Sequence, residues 1–226
     1  MLACVADALT IFRHNHPRKP QNRPYPNIKP TCGSNDQYAE AEDWSLPLSK
    51  EDKKCVHEVT GTLLYYSMAV DTTILTALSS IAAQKANPTE QTMQKVKQFL
   101  YYATTHPDSI ITYDGSDMVL TGHSDVSYLS KTKDGSRAGG RCFMSNNTEL
   151  PPKNGSVLTI SKIIKEVMSS ATEVELGALC INFKEAISAL QYLEEMGYTQ
   201  PPTPMQTDNT TAHGVVTNNL ASKRLK

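Results

Sequence analysis

From residue 49 to 106 the apolar residues recur at helical spacing, in three runs separated by short polar breaks. Ser49 is placed to cap the first run, with Asp52 in its first turn and Val56, Val59, Leu63 and Leu64 along it. Asp71 caps the second, whose face carries Leu75, Leu78 and Ile81 and which stops before Asn87-Pro88. Thr89 caps the third, with Met93, Val96, Phe99, Leu100 and Ala103 on one stripe, and His106-Pro107 ends it. The pattern predicts a small all-helical subdomain over 49–109.

The flanking stretches differ. Ala8, Leu9 and Phe12 fit the tail of a helix, and His14–Pro30, with five prolines, predicts an extended strap. Thr31–Leu48 is loop-like, with Trp44 as its large apolar anchor. After Ser109 the signal turns to β-formers. Ile110–Tyr113 and Met118–Tyr128 flank the turn Asp114-Gly115-Ser116, and Arg137–Ser145 and Val157–Ser161 follow as further strands. Gly139-Gly140 inside one of them predicts a bulge. A long helix then begins at Ser170-Ala-Thr-Glu173, which has capping-box spacing. Its expected apolar face is Leu176, Leu179, Phe183, Ala186, Ile187, Leu190 and Leu193, with Gly197 as the stop. Pro204–Thr207 reads as a short strand and Asn209–Val216 as a helix. Strands, long helix, strand and helix predict an α/β fold with a mixed sheet over 110–226.

Composition narrows the class without naming a partner. The 226 residues are 39% apolar and 20% charged, with a net charge of -1, ordinary for a globular protein. No standing basic field exists, so a nucleic-acid surface has to be local. Five cysteines with no C-x-x-C pair fit free thiols in a reducing, intracellular setting. Met1–Phe12 is too short to span a bilayer. The sequons at Asn146, Asn154 and Asn209 are read as chance.

Three acids occupy positions that carry chemistry. Asp125 sits in Gly122-His-Ser-Asp-Val-Ser-Tyr128, Glu175 in the first turns of the long helix, and Asp208 between a strand and a helix in Gln206-Thr-Asp-Asn209. Converged carboxylates raise one another's pKa unless a cation neutralises them, and oxygen-only ligands suit Mg2+ or Mn2+. Two such ions about 3.5–4 Å apart activate water and stabilise the leaving oxygen of a phosphodiester. The competing reading is structural: Asp208 as a helix cap, Glu175 as a partner of the helix dipole. Spacing leaves both open.

Three blocks, in order, resemble the ribonuclease H motifs of copia-type (pseudovirus) LTR retrotransposon polyproteins: Ser124-Asp-Val-Ser-Tyr128, Ser169-Ser-Ala-Thr-Glu-Val-Glu-Leu176 and Gln206-Thr-Asp-Asn209. Gly61-Thr-Leu-Leu-Tyr-Tyr66 and Asp71–Ser80 resemble the helices that join polymerase to nuclease there, and Phe12 through Arg23-Pro-Tyr-Pro26 the end of the polymerase. The resemblance implies a polymerase remnant and Pro-rich linker over 1–48, a connection subdomain over 49–109, and a C-terminally truncated RNase H-like domain over 110–226. It implies that Asp125, Glu175 and Asp208 bind two Mg2+ or Mn2+ ions, and that Glu173 is the capping neighbour. The implied activity is hydrolytic, endonucleolytic cutting of the RNA strand of an RNA–DNA hybrid. The implied partners are that hybrid and the rest of the Pol polyprotein, with no membrane, in cytoplasmic virus-like particles or the nucleus.

Two departures temper the implied activity. A fourth acid, usual in such nucleases, is expected beyond Ser222-Lys-Arg-Leu-Lys226, and no Tyr-x-Asp-Asp-like polymerase motif is present. Weak or no turnover is therefore expected. A non-catalytic remnant or structural module keeping the fold is the alternative, and a generic α/β domain whose acids are caps is the third. Lys131, Lys133, Arg137 and Arg141 are candidates for a phosphate-binding basic edge, against solvated loop charges. His123 reads as a strand histidine, and the position of His213 does not match that of a product-release histidine.

Overall fold

The computed structural model describes residues 4–12, 14, 17–26, 43–131 and 135–217. They form two compact units, one ending at Ile111 and the other beginning at Thr112.

The first unit is helical. Helix α1 (Cys4–Ile11) is followed by α2 (Lys50–Ala69), a 3-10 turn (Thr72–Ile74), α3 (Leu75–Gln84) and α4 (Glu90–Thr105). The caps are those the sequence predicts. Ser49 accepts from the Asp52 amide, Asp71 from that of Thr73, and Thr89 forms a reciprocal capping box with Thr92. One core joins all four helices: Val5 and Ala8 pack with Val56, Val59, Leu63, Leu78, Ile81, Val96 and Phe99. Each large side chain of this kind contributes about 1.5–3 kcal/mol on burial.

Trp44 is no anchor, being 87% exposed. Polar groups hold the segment before α2 instead. Asp43 bonds the Ser45 and Thr89 side chains, Glu90 N donates to Leu46 O at 2.9 Å, and Leu48 N donates to Pro88 O at 3.0 Å.

The second unit is a four-stranded mixed sheet with two helices. Its strands are β1 (Val119–Lys131), β2 (Gly135–Ser145), β3 (Ser156–Ile164) and β4 (Met205–Thr207), in the order β3-β2-β1-β4. β4 runs parallel to β1, and the other pairings are antiparallel. Helix α5 (Ala171–Glu195) lies along β1 and β2, and α6 (Thr210–Val216) follows β4. Leu120 and Cys142 pack on Ala186 and Leu193 of α5, while Ala138 and Ile164 pack on Val174 and Ala178. This α/β unit with its mixed sheet is compatible with an RNase H-like fold.

Three local expectations fail, each for a polar reason. Ile110–Tyr113 forms no strand, because Asn154 satisfies the neighbouring backbone: its amide donates to Asp114 O and its carbonyl accepts from Asp114 N, both at 2.9 Å. Gly139-Gly140 is no bulge; both residues stay in register with Asp125 and Ser124. A Cβ at Gly140 would fall inside the Asn182 side chain, so the glycine admits α5 close to the sheet. The inward face of α5 is also rotated from the expected one: Glu175, Ala178, Asn182, Ala186 and Leu193 are buried, while Phe183 and Ile187 are exposed.

Candidate metal centre

β1 and β2 alternate about the sheet. Leu120, Ser124 and Val126 face α5, so His123 and Asp125 take the opposite phase. β4 pairs with β1 only from Gly122 to Ser124 and ends at Thr207, opposite Ser124. From Asp125 onward that edge of β1 lies outside the ladder, and Asp208 leaves β4 beside it. Asp125 is thus a mid-strand residue exposed by the shortness of its neighbour, not a strand end.

Glu175 enters from the second turn of α5, on the stripe that continues through Ala178 and Asn182. Capping places it there. Ser170 Oγ accepts from Glu173 N at 3.2 Å, and the Glu173 carboxylate takes the Ser169 amide at 2.8 Å and hydroxyl at 2.9 Å. Glu173 is spent on the helix start, and Glu175 turns inward. A second lock fixes helix to strand: Asn182 Nδ2 donates to Ser124 Oγ at 2.7 Å and to Gly139 O at 2.8 Å.

One carboxylate oxygen each from Asp125, Glu175 and Asp208 lies within 4.8 Å of the other two. The capping alternative does not account for them. α6 is capped by Asn209, whose side chain accepts from Ala212 N at 2.9 Å, which leaves the Asp208 carboxylate to the cluster. Asp125 Oδ1 accepts from Val126 N at 2.7 Å. Glu175 is 8% exposed, and its buried Oε2 has no hydrogen-bond partner among the described residues.

Burial, with Asp125 and Asp208 adding to it, pushes the Glu175 carboxyl up to about 7. A buried oxygen without a donor, in repulsive contact with two more acids, is a costly arrangement that a hard divalent cation relieves. The donor set therefore fits a hard divalent cation. His123 stands beside the cluster, its pKa lowered by burial and by Lys153 and Arg141, against the opposing pull of Asp125 and Asp208.

The predicted basic residues are scattered. Arg137 is buried, its Nη1 3.1 Å from Ser161 Oγ, so it braces β2 to β3 and is not part of an exposed basic edge. Arg141 lies half-buried on β2, its guanidinium carbon 5.6 Å from the Phe143 ring centroid. The side chain of Lys131 and all of Lys133 lie outside the described residues. Asn182 and Lys153 escape a sequence reading, since neither sits in a motif or on an apolar stripe. The sequon asparagines all serve as local braces: Asn209 caps α6, Asn154 holds Asp114, and Asn146 accepts from Asp117 N at 3.2 Å. Cys55, Cys142 and Cys180 are free thiols. Among the described residues, no helix is long and apolar enough to cross a membrane.

No family model and no solved structure matches the chain. Over 166 residues, 74% of its length, it is 25% identical to the retrovirus-related Pol polyprotein from transposon TNT 1-94 of Nicotiana tabacum. The match takes in 12% of that polyprotein, so the chain spans a small part of the relative's length. What the chain resembles is therefore a stretch of a retrotransposon Pol polyprotein.

Proposed function

We propose that this chain is a Pol-derived fragment whose second unit is a ribonuclease H-like metal-dependent nuclease module of the copia type. Its substrate is the RNA strand of an RNA–DNA hybrid, and Asp125, Glu175 and Asp208 are its metal ligands. The observation that carries this reading is the buried, partnerless Glu175 Oε2 beside the Asp125 and Asp208 carboxylates. The similarity to a Pol polyprotein supports the Pol-derived part of this reading.

Bound divalent ions supply Lewis acidity, lowering the pKa of an attacking water and neutralising charge on the phosphoryl oxygens. The chain's own residues hold the site. Glu175, as the carboxylate, would hold such an ion together with Asp125 and Asp208, which would complete the oxygen donor set, and Asn182 with Ser124 fixes the distance between helix and strand. The hybrid is read by backbone shape and 2′-hydroxyls, not by base sequence.

A cation-binding module without turnover is the second reading. It is favoured by the number of acids in the cluster, three among the described residues, where the resemblance implies four. Incubating the chain with an end-labelled hybrid in Mg2+ or Mn2+ tests the choice. Cutting within the RNA strand that disappears in Asp125→Asn supports the nuclease. Cation binding without cutting supports the second reading, and cutting that survives Asp125→Asn overturns the site assignment.

A further inference from the structure

Beside the carboxylates lies a row of cationic and donor groups that the acids do not use. Arg141 of β2 stands opposite His123 of β1, and His123 stands opposite Gln206 of β4. Asp125 is the next same-phase position along β1, about 6.6–6.8 Å further on. That step is comparable with the distance between successive phosphates of a nucleic-acid strand.

The loop after β2 closes against this row. Gln206 Nε2 donates to Pro151 O at 3.2 Å, and Ser145 Oγ donates to Pro152 O at 2.6 Å. Those two bonds anchor the backbone just before Lys153 against Gln206 of β4 and the end of β2. The Arg141 guanidinium is steadied over the Phe143 ring, a contact that leaves its N–H edges open. Among the described residues neither Arg141 nor Lys153 has a carboxylate within ion-pairing distance. Arg141 and the exposed Lys153 flank this row without pairing with the acids, and this suits an anionic ligand there.

We infer that Arg141 and Lys153, with His123 and Gln206 beside them, seat a backbone phosphate of the substrate strand. It is the phosphate one nucleotide away from the phosphodiester held at the carboxylates. Contacts of this kind position a strand without reading its sequence. The inference rests on the nucleic-acid reading above and names the side chains that hold the strand in place.

The test is fluorescence anisotropy of a labelled RNA–DNA hybrid with the full chain, in Ca2+ and over a series of salt concentrations. Arg141→Gln combined with Lys153→Gln should weaken binding at least tenfold at low salt. It should also make the slope of log affinity against log salt shallower by about 0.7–0.9, the worth of one neutralised phosphate. Lys153 is exposed, so Lys153→Gln alone keeps the fold and should itself produce about half of that slope change. Unchanged affinity and slope in both variants would overturn the phosphate seat while leaving the nuclease reading intact. Failure of the unaltered chain to bind the hybrid would overturn both. Mn2+ binding should be no weaker in the variants, since the cations are not metal ligands, and a weakened metal site would count against the assignment.

Discussion

The Asn182 amide of α5 donates to the Ser124 hydroxyl of β1 at 2.7 Å, next in sequence to Asp125 and two turns along the helix from Glu175. The same amide reaches Gly139 O at 2.8 Å, and Gly140 leaves the space for it. This buried polar lock sets how far the helix that carries one acid stands from the strand that carries another.

Asn182→Ala leaves the Ser124 hydroxyl and the Gly139 carbonyl without the amide. A buried polar group left unsatisfied costs about 1–3 kcal/mol, so thermal unfolding should show a loss of that order. Cation affinity should fall as well, because the ligands are no longer held at one distance. An unchanged melting temperature would show that the lock is dispensable.

Gly140→Ala pushes a methyl group into the Asn182 side chain. Overpacking of this kind costs about 1–3 kcal/mol. Gly139→Ala is the matched comparison: its Cβ meets only Asp125 O, at 3.7 Å. Chemical denaturation should therefore rank Gly140→Ala well below Gly139→Ala, and equal stabilities would remove the close approach from the explanation.

Glu173 and Glu175 should separate cleanly in a paired substitution. Glu173→Gln weakens the bonds to Ser169 and lowers the melting temperature slightly, with cation binding retained. Hydrogen bonds from Ser169 hold its carboxyl below the usual range, so its contribution is present above the unfolded pKa and is lost as pH falls through the folded one. Glu175→Gln removes a repelled carboxylate. The cation-free protein should be no less stable, and stabilisation by Mn2+ should vanish. The reverse pattern would exchange the two roles.

The raised Glu175 pKa sets a pH window. The folded carboxyl titrates near 7, the unfolded one near its ordinary 4.5. Without cation, ionisation is harder in the folded state, so Glu175 costs stability progressively as pH rises from about 4.5 to about 7, then by a constant amount. Cation binding displaces that proton, so affinity should climb with pH up to about 7 and level off above it. Calorimetric titration at pH 5.5, 6.5, 7.5 and 8.5 reads the profile, and a flat one would show that Glu175 is already ionised.

Much of the fold is legible in the sequence where one local rule suffices. Ser49, Asp71, Thr89 and Ser170 mark their helix starts, because a side-chain acceptor at an N-cap works wherever the rest of the chain goes. The inward face of α5 is not legible in this way. Apolar spacing points to Phe183 and Ile187, yet the inward face carries Glu175 and Asn182, and the partners of Asn182, Ser124 and Gly139, lie on two different strands. The three acids stand out through ordered motifs, not spacing. Their meeting point depends on the parallel pairing of β4 with β1 and on where β4 stops, and neither is written in any local pattern. Trp44 shows the converse, a large apolar side chain that the fold leaves outside.

The most direct measurement is isothermal titration of Mn2+ at pH 8 into the full chain and into Glu175→Gln. Three converging carboxylates predict saturable binding to the unaltered chain, weakened at least tenfold by removal of the one buried charge. Equal binding by both proteins, or none by either, would contradict a metal centre at Asp125, Glu175 and Asp208.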